Sequence, residues 1–324
     1  MDTSYREQWS EESMRKRSVP DFFIVGAPKC GTTALASYLR AHPETYVPQS
    51  ELNYFAPDMP GWNEDVVDQY YTAFAAGSDS AVVGAKSAWY LYSSVAVPNL
   101  LDTNPQIKLI AMVRNPIEMA RSLHSQLLWE GTEDIEDFQR AWALQEERAR
   151  GRMIPRGCAR LGRPGIQPGK VLVYRDVCAL GTQIERFINT VPRKQRLVIV
   201  LDDLASRPRT VYQQVLDFLG LEPDGRTEFP RVNAHKAPRS PHLARLINRP
   251  PAGVNIMRSL LCPLLQRCGL HLRPVLVRLN TVHPSQPSLP ETFRADLRRV
   301  FEAEIRKLER LLGRSFAHWM YSPS

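Results

Sequence analysis

The stretch Phe22-Phe23-Ile24-Val25-Gly26-Ala27-Pro28-Lys29-Cys30-Gly31-Thr32-Thr33-Ala34-Leu35 decides how this chain is read. Its first four residues are apolar without alternation. That pattern suits a parallel strand covered on both faces, because a half-exposed strand would put a polar residue at every second position. From Thr32 the spacing becomes helical, with Ala34, Leu35, Tyr38 and Leu39 on one side and a stop at His42-Pro43. The segment is therefore expected to be a strand, a glycine turn and a helix. A helix that opens after such a turn presents unpaired backbone N–H groups and about half a positive charge, so it attracts an oxyanion.

The N–H groups around Cys30, Gly31 and Thr32 would line this cradle, the Thr32 and Thr33 hydroxyls would add donors, and Lys29 would supply a point charge. The lysine is not where a nucleotide-triphosphate loop carries it. A GxxxxGK[ST] loop needs Lys directly after the second glycine, whereas here Thr32 follows Gly31 and Lys29 comes two residues before it. Taken alone, the glycine pattern also describes a strand-to-helix turn that binds nothing.

Outward from this stretch, Ile107 to Val113, Leu197 to Leu201 and the shorter Val82-Val83 read as further buried strands. Helical patterns lie between them, over Asp134 to Arg150, Leu180 to Asn189 and Pro208 to Leu219, the last closed by Gly220. This alternation predicts an α/β fold with a mainly parallel sheet. Near the end, Ser288-Leu289-Pro290-Glu291 reads as a capping box. After it, Phe293, Leu297, Val300, Phe301, Ile305, Leu308 and Leu312 share one helical face, expected to pack on the sheet, and Gly313 closes the element.

With 324 residues, 43% hydrophobic and 23% charged, the chain belongs among ordinary globular proteins. We expect a flexible N-terminal tail over 1–19 and a single domain over 20–324. Within that domain the basic, proline-rich segment 226–283, whose only acid is Glu228, wraps the core or forms a cap. The 42 Lys and Arg against 34 Asp and Glu give a net charge of +8, which favours an anionic partner without choosing among cofactor, nucleic acid, acidic sugar and membrane surface. Five cysteines without CxxC spacing indicate neither a disulfide framework nor a zinc site, and point to a reducing compartment. The first twenty residues lack an apolar core, and nowhere do eighteen uncharged apolar residues run together; a cytoplasmic chain without export or membrane-spanning signals is the expectation.

Three further pieces follow strand ends or turns. Arg114 to Ser122, RNPIEMARS, comes directly after the strand ending at Val113, and in parallel α/β sheets ligands gather outside the carboxyl ends of strands. Lys86, in GAKSAWYLYSS, comes just past the short strand. Glu51, in PQSELNYF, lies on the turn region after the cradle helix. Each has a plain alternative as a solvated surface charge.

In combination, PKCGTTAL, HP, SELNYF, AKSAWYL and RNPIEMARS, in this order, resemble the sulfotransferases that use 3′-phosphoadenosine 5′-phosphosulfate (PAPS), in particular the bacterial branch similar to heparan sulfate N- and O-sulfotransferases. The likeness runs through IERFINTVPRKQRLVIVLDDLASRPRTVYQQVLDFLGL to LERLLGRSFAHW, covers roughly 20–320, and implies a P-loop-like three-layer fold, with a central mainly parallel sheet flanked by helices, and a single sulfotransferase domain over 20–324. It implies that the displaced Lys29 sits at the bridging oxygen of the phosphosulfate while the backbone from Cys30 through Gly31 and Thr32 to Thr33 holds the phosphate. It further implies that Arg114 and Ser122, eight residues apart, bind the 3′-phosphate, that Glu51 is the general base, and that Lys86 is the lysine of an EKT-like motif. Asn233, Lys236 and Arg239 are second-tier candidates for nucleotide or acceptor contacts. The sequence departs from the family at Ser50 for lysine, Asn53 for histidine, Ala85 and Ser87 in the EKT-like triplet, and Leu180 for tyrosine.

The expected reaction is in-line sulfuryl transfer to a hydroxyl or amine of a carbohydrate or small-molecule acceptor. No metal is expected, since the seven histidines show no ligand spacing and no acidic pair flanks the cradle. Two other classes stay open. One is a non-catalytic binder of the same nucleotide. The other is a basic protein whose segment LINRPPAGVNIMRSLLCPLLQRCGLHLRPVLVRL makes weak peripheral membrane contact or receives a lipophilic acceptor. No nucleic-acid-binding module is recognisable.

Overall fold

In the computed structural model the apolar run forms β1 (Phe22–Gly26), with Phe22, Phe23, Ile24 and Val25 all fully buried. The structure describes residues 20–51, 53–63, 65–75, 82–162, 164–230, 237–238, 240, 280–282 and 288–321. After β1 the chain forms α1 (Thr32–Arg40), β2 (Thr45–Tyr46), α2 (Asp65–Ala75), β3 (Val82–Lys86), α3 (Ala96–Thr103) and β4 (Lys108–Val113). There follow α4 (Pro116–Glu130), α5 (Phe138–Ala143), α6 (Gln145–Ala149), α7 (Arg156–Ala159), α8 (Tyr174–Val177), α9 (Leu180–Thr190) and β5 (Arg196–Val200). The last elements are α10 (Leu201–Ser206), α11 (Pro208–Leu219), β6 (Ala237–Pro238), β7 (Thr281–Val282), α12 (Glu291–Leu312) and α13 (Ala317–Tyr321).

The main sheet has the order β2-β3-β1-β4-β5, and every neighbouring pair is parallel. With β1 at the centre and the chain passing first to one side and then to the other, the switch of direction falls at the carboxyl ends of β1 and β4. This is the expected α/β class, a parallel sheet flanked by helices. By their contacts the described residues group into two units. The first draws on Met1–Asn115, Leu180–Val232 and Glu304–Phe316 and contains the whole parallel sheet; the second draws on Pro116–Ala179, Asn233–Ala303 and Ala317–Ser324. The expected tail 1–19 and most of the segment 226–283 lie outside the described residues.

Four local expectations are corrected. The short strand at Val82-Val83 continues to Lys86, so this lysine ends β3 instead of following it. Leu201 opens α10 instead of closing β5. The helix expected over Asp134 to Arg150 is two short helices, α5 and α6. The late start at Phe138 follows from two carboxylates: Glu133 accepts from the backbone N–H groups of Asp134 and Ile135, and Asp137 caps the helix by accepting from the Arg140 N–H. Finally, α12 starts at Glu291 with the Pro290 carbonyl accepting its first hydrogen bond, from the Arg294 N–H, and Val300 is 40% exposed, off the buried face.

The ring contacts of α12, and the polar contacts it makes with α9, go to helices. In the second unit, Phe293 meets Phe138 and Trp142, and Phe301 meets Trp142. In the first unit, the Glu304 carboxylate accepts from both the N–H and the hydroxyl of Thr182 at the start of α9, and Lys307 pairs with Glu185.

The second unit is built around charge. Arg148 and Glu133 are fully buried, and the guanidinium donates to both carboxylate oxygens at 2.6 and 2.7 Å. The Tyr174 hydroxyl adds a third bond to Glu133 at 2.7 Å. Burial alone would raise the Glu133 carboxyl, but the Arg148 hydrogen bonds and charge, with Tyr174 and the Ile135 N–H, bring it below the ordinary carboxylate value. Such a pair offsets its own desolvation only while both partners are present.

Glu133→Ala should therefore cost about 3–5 kcal/mol in urea unfolding, since it strands a buried guanidinium. In the first unit, Gly26 has φ +134°, and a Cβ there would lie 2.5 Å from the Ala88 backbone oxygen. Gly26→Ala should cost at least about 1–3 kcal/mol by the same measurement, because neither the backbone angle nor the carbonyl can yield cheaply.

Candidate active site

The turn after β1 is curled by two left-handed residues, Lys29 at φ 63° and Gly31 at φ 90°. Gly31 stands at the N-cap of α1, without a side-chain cap, and its carbonyl accepts from the Ala34 and Leu35 N–H groups. Glycine is required at this position, since a Cβ would meet Leu201 Cδ1 at 2.7 Å as well as straining the backbone. The N–H groups of Gly31, Thr32 and Thr33 have no acceptor among the described residues. Three such donors at a helix start, turned inward by left-handed backbone, make a nest for an anion.

Arg114, immediately after β4, donates from Nη1 to the Lys29 carbonyl at 3.0 Å. The Ala27 N–H donates to the Met112 carbonyl at 2.9 Å. The glycine turn is thus tied to the end of β4, and two cationic residues from separate strand ends share it. Cys30 lies inside the same turn, fully buried. Burial pushes its thiol up to about 12, against the lowering effect of the Arg114 and Lys29 charges. Its N–H is taken within the turn, donating to the Ala27 carbonyl at 3.3 Å.

Beside the cradle lies a second cluster. Lys86, 5% exposed at the end of β3, donates to Glu51 Oε1 at 2.5 Å, and the Ala88 N–H donates to Glu51 Oε2 at 3.2 Å. Both carboxylate oxygens are thereby oriented, while each keeps lone-pair capacity. The link to the cradle is direct: Ala88 O is the atom that a Cβ on Gly26 would strike, the Ser87 N–H donates to the Ile24 carbonyl at 3.0 Å, and the Leu91 N–H donates to the Val25 carbonyl at 2.6 Å.

The Glu51 loop is laced to this turn along its length. Ser87 Oγ donates to Asn53 Oδ1 at 2.7 Å, the Phe55 N–H donates to the Tyr90 oxygen at 3.0 Å, and Asp58 accepts from Ser93 Oγ at 2.5 Å and from the Ser94 N–H at 2.9 Å. Asn53 and Ser87, two positions where the sequence departs from its resemblance, are partners of each other. Read singly they are two unrelated changes; read as a pair they keep one cross-loop hydrogen bond.

Of the residues expected from sequence, Lys29, Cys30, Gly31, Thr32, Thr33 and Arg114 are brought together by the turn, and Glu51 and Lys86 are brought together next to Gly26. Ser122 lies in the second turn of α4, partly exposed, in the second unit. Asn233, Lys236 and Arg239 lie outside the described residues. The Ala88 amide is a functional group that residue-type reasoning missed, because a backbone N–H leaves no mark in the sequence. Among the described residues no helix is long and apolar enough to cross a membrane, and no group of three or more His, Cys, Asp or Glu is placed to hold a metal ion.

A parallel sheet of this order, with an anion cradle after its central strand, defines the P-loop-like class. Within that class the chain belongs to the sulfotransferase family, whose sulfotransferase-domain model matches residues 19–235. It is 24% identical over 230 residues to the bifunctional heparan sulfate N-deacetylase/N-sulfotransferase 2 of Homo sapiens, a match covering 68% of this chain and 24% of that protein. It is 35% identical over 121 residues to the corresponding protein 1 of Caenorhabditis elegans, covering 35% of this chain and 13% of that protein. The chain thus spans about a quarter or less of the length of these curated relatives. The crystal structure of a sulfotransferase from Alicyclobacillus acidocaldarius shares the fold, with a TM-score of 0.63 at 24% identity, covering 93% of this chain and 99% of that one.

The state of Cys30 is directly testable. A thiol raised to about 12 is only about 0.01% thiolate at pH 8, so iodoacetamide should leave Cys30 unlabelled in the native protein and label it in urea, as read by peptide mass spectrometry. The folded state retains a proton that the unfolded chain releases near 9.0, so this contribution to stability is complete below pH 9 and is lost as pH rises towards 12.

Proposed function

We propose that this protein transfers a sulfuryl group from PAPS to a hydroxyl or amine of a carbohydrate or small-molecule acceptor, by in-line displacement with Glu51 as general base. The observation that carries this reading is the contact of Gly26 with Ala88, which sets an anion cradle and an oriented carboxylate at adjoining strand ends. The cradle fits the donor's charge: three unpartnered backbone N–H groups, a lysine and an arginine suit a phosphate-linked sulfate better than a neutral ligand. When bound, PAPS supplies an activated sulfuryl group on a good leaving group.

The chain's own residues then divide the work. The backbone from Cys30 to Thr33 grips the 5′-phosphate and fixes the line of attack. Lys29 is assigned to the bridging oxygen, where negative charge grows as the sulfur–oxygen bond breaks. Lys86 uses one ammonium proton to hold Glu51 and keeps two others for the sulfuryl or bridging oxygens. Arg114 and Ser122 are assigned to the 3′-phosphate on the family resemblance. Glu51 accepts the acceptor's proton; a carboxylate is too weak a base to strip an alcohol beforehand, so the proton moves as the new bond forms.

The relatives' names specify heparan sulfate and N-sulfation, which favours a carbohydrate acceptor. Cys30, Cys158 and Cys178 are free thiols, in keeping with a reducing, cytoplasmic setting. The proposed organisation is a single sulfotransferase domain over 20–324, with 226–283 as its cap or wrapping segment.

Glu51→Gln should lower PAPS-dependent turnover by about 100- to 10,000-fold. The same variant should keep its thermal stabilisation by 3′-phosphoadenosine 5′-phosphate, about 2.7 kcal/mol at about 100 times its Kd. Near-normal turnover would remove Glu51 from the role, and absence of any stabilisation in the unaltered protein would overturn the sulfonucleotide reading altogether.

A further inference from the structure

We propose that Arg186, which lies outside the cradle on α9, is a positioning residue for the reaction, holding the turn whose Ala88 amide orients Glu51. This inference rests on Glu51 being the general base. The Arg186 Nη2 group donates to three consecutive backbone carbonyls, Leu91 at 2.5 Å, Tyr92 at 3.2 Å and Ser93 at 2.9 Å. A cation is favoured where three carbonyl oxygens turn to one point, so the guanidinium reinforces a turn that the Tyr92 and Ser93 N–H groups close on the Trp89 carbonyl.

The other side of the same turn is held by an anion. Asp58 accepts from Ser93 Oγ, the Ser94 N–H and Ser94 Oγ, and its charge favours the cationic form of Arg186 against the lowering effect of burial. From this doubly held end, the turn runs back through Leu91, bonded by its N–H to Val25, and Tyr90, stacked on Phe23 and bonded to the Phe55 N–H, to Ala88. Ala88 then touches Gly26 through its carbonyl and Glu51 through its N–H. Its position is therefore set between the end of β1 and the Arg186 anchor. Releasing the anchor removes this reinforcement from the far end of the turn, and Glu51 loses part of the alignment of one oxygen. The donors of the cradle stand on β1, α1 and β4, and among the described residues none of them is bonded to Arg186.

The test is a double-mutant cycle on the full chain, reading release of 3′-phosphoadenosine 5′-phosphate from PAPS per folded protein, with N-desulfated heparin or water as the acceptor. Arg186→Ala should lower the rate by about 10- to 100-fold, the scale of a modest misplacement of a catalytic group. Its stabilisation by 3′-phosphoadenosine 5′-phosphate should stay at the level of the unaltered protein. In a Glu51→Gln background the same substitution should change the rate by less than about 3-fold, because a residue acting through Glu51 has nothing left to position. Arg186→Lys keeps the charge and reaches fewer carbonyls, so it should fall between the two and serves where the alanine variant does not fold. An unchanged rate in both Arg186 variants, or the same loss with and without Glu51, overturns the positioning role. Normal turnover by Glu51→Gln alone overturns the base assignment and takes the positioning role with it, a failure visible before Arg186 is altered.

Discussion

At the end of β1 the backbone passes so close to the Ala88 carbonyl that no side chain fits between them, and the candidate site is arranged around that approach. Parallel strands send their following loops to one edge of the sheet, but this alone would leave the loops independent. Here the β1–β3 pairing continues beyond the strands, through the Ser87 N–H to Ile24 and the Leu91 N–H to Val25. The turn after β3 is consequently part of the wall of the cradle after β1. Glu51 belongs to neither strand; it is delivered by its bonds to Lys86 and Ala88.

Charge in this region is organised more tightly than the net +8 of the chain conveys. Arg114 is anchored on a backbone carbonyl of the turn, and Lys86 is paired with Glu51, so neither cation is loose before a ligand arrives. Lys29 occupies a left-handed backbone conformation that costs a non-glycine residue about 1–3 kcal/mol. The Arg114 bond to its carbonyl is one of the contacts that holds it there. Strain maintained in this way keeps the backbone donors of the turn converging on one point.

The second unit obeys different physics. Its centre is a fully buried arginine and glutamate rather than a hydrophobic sheet, with Tyr174 completing the carboxylate's hydrogen bonds. A buried ion pair contributes little net stability compared with apolar packing, but it penalises any arrangement that separates the partners. That selectivity shapes the local chain: Glu133 also takes the Asp134 and Ile135 N–H groups, and His124 on α4 bonds the Ile135 carbonyl at 2.8 Å. The segment after α4 is fastened by these bonds, and a helix-like apolar pattern there yields to them.

Local pattern by itself determined the strand, turn and helix from Phe22 to Arg40, the buried strand ending at Val113, α9, and α11 with its Gly220 stop. Those elements are set by period, apolar continuity and glycine placement, all of which act over a few residues. The cradle was legible for the same reason, since its donors are consecutive in the chain. Tertiary structure alone decided that Arg148 on α6 reaches back to Glu133, and that Asn53 pairs with Ser87. It also decided that the Ala88 amide meets Glu51. These features join residues far apart in sequence through single hydrogen bonds, and a backbone N–H is chemically the same at every non-proline position, so no residue-by-residue reading can find which one is used.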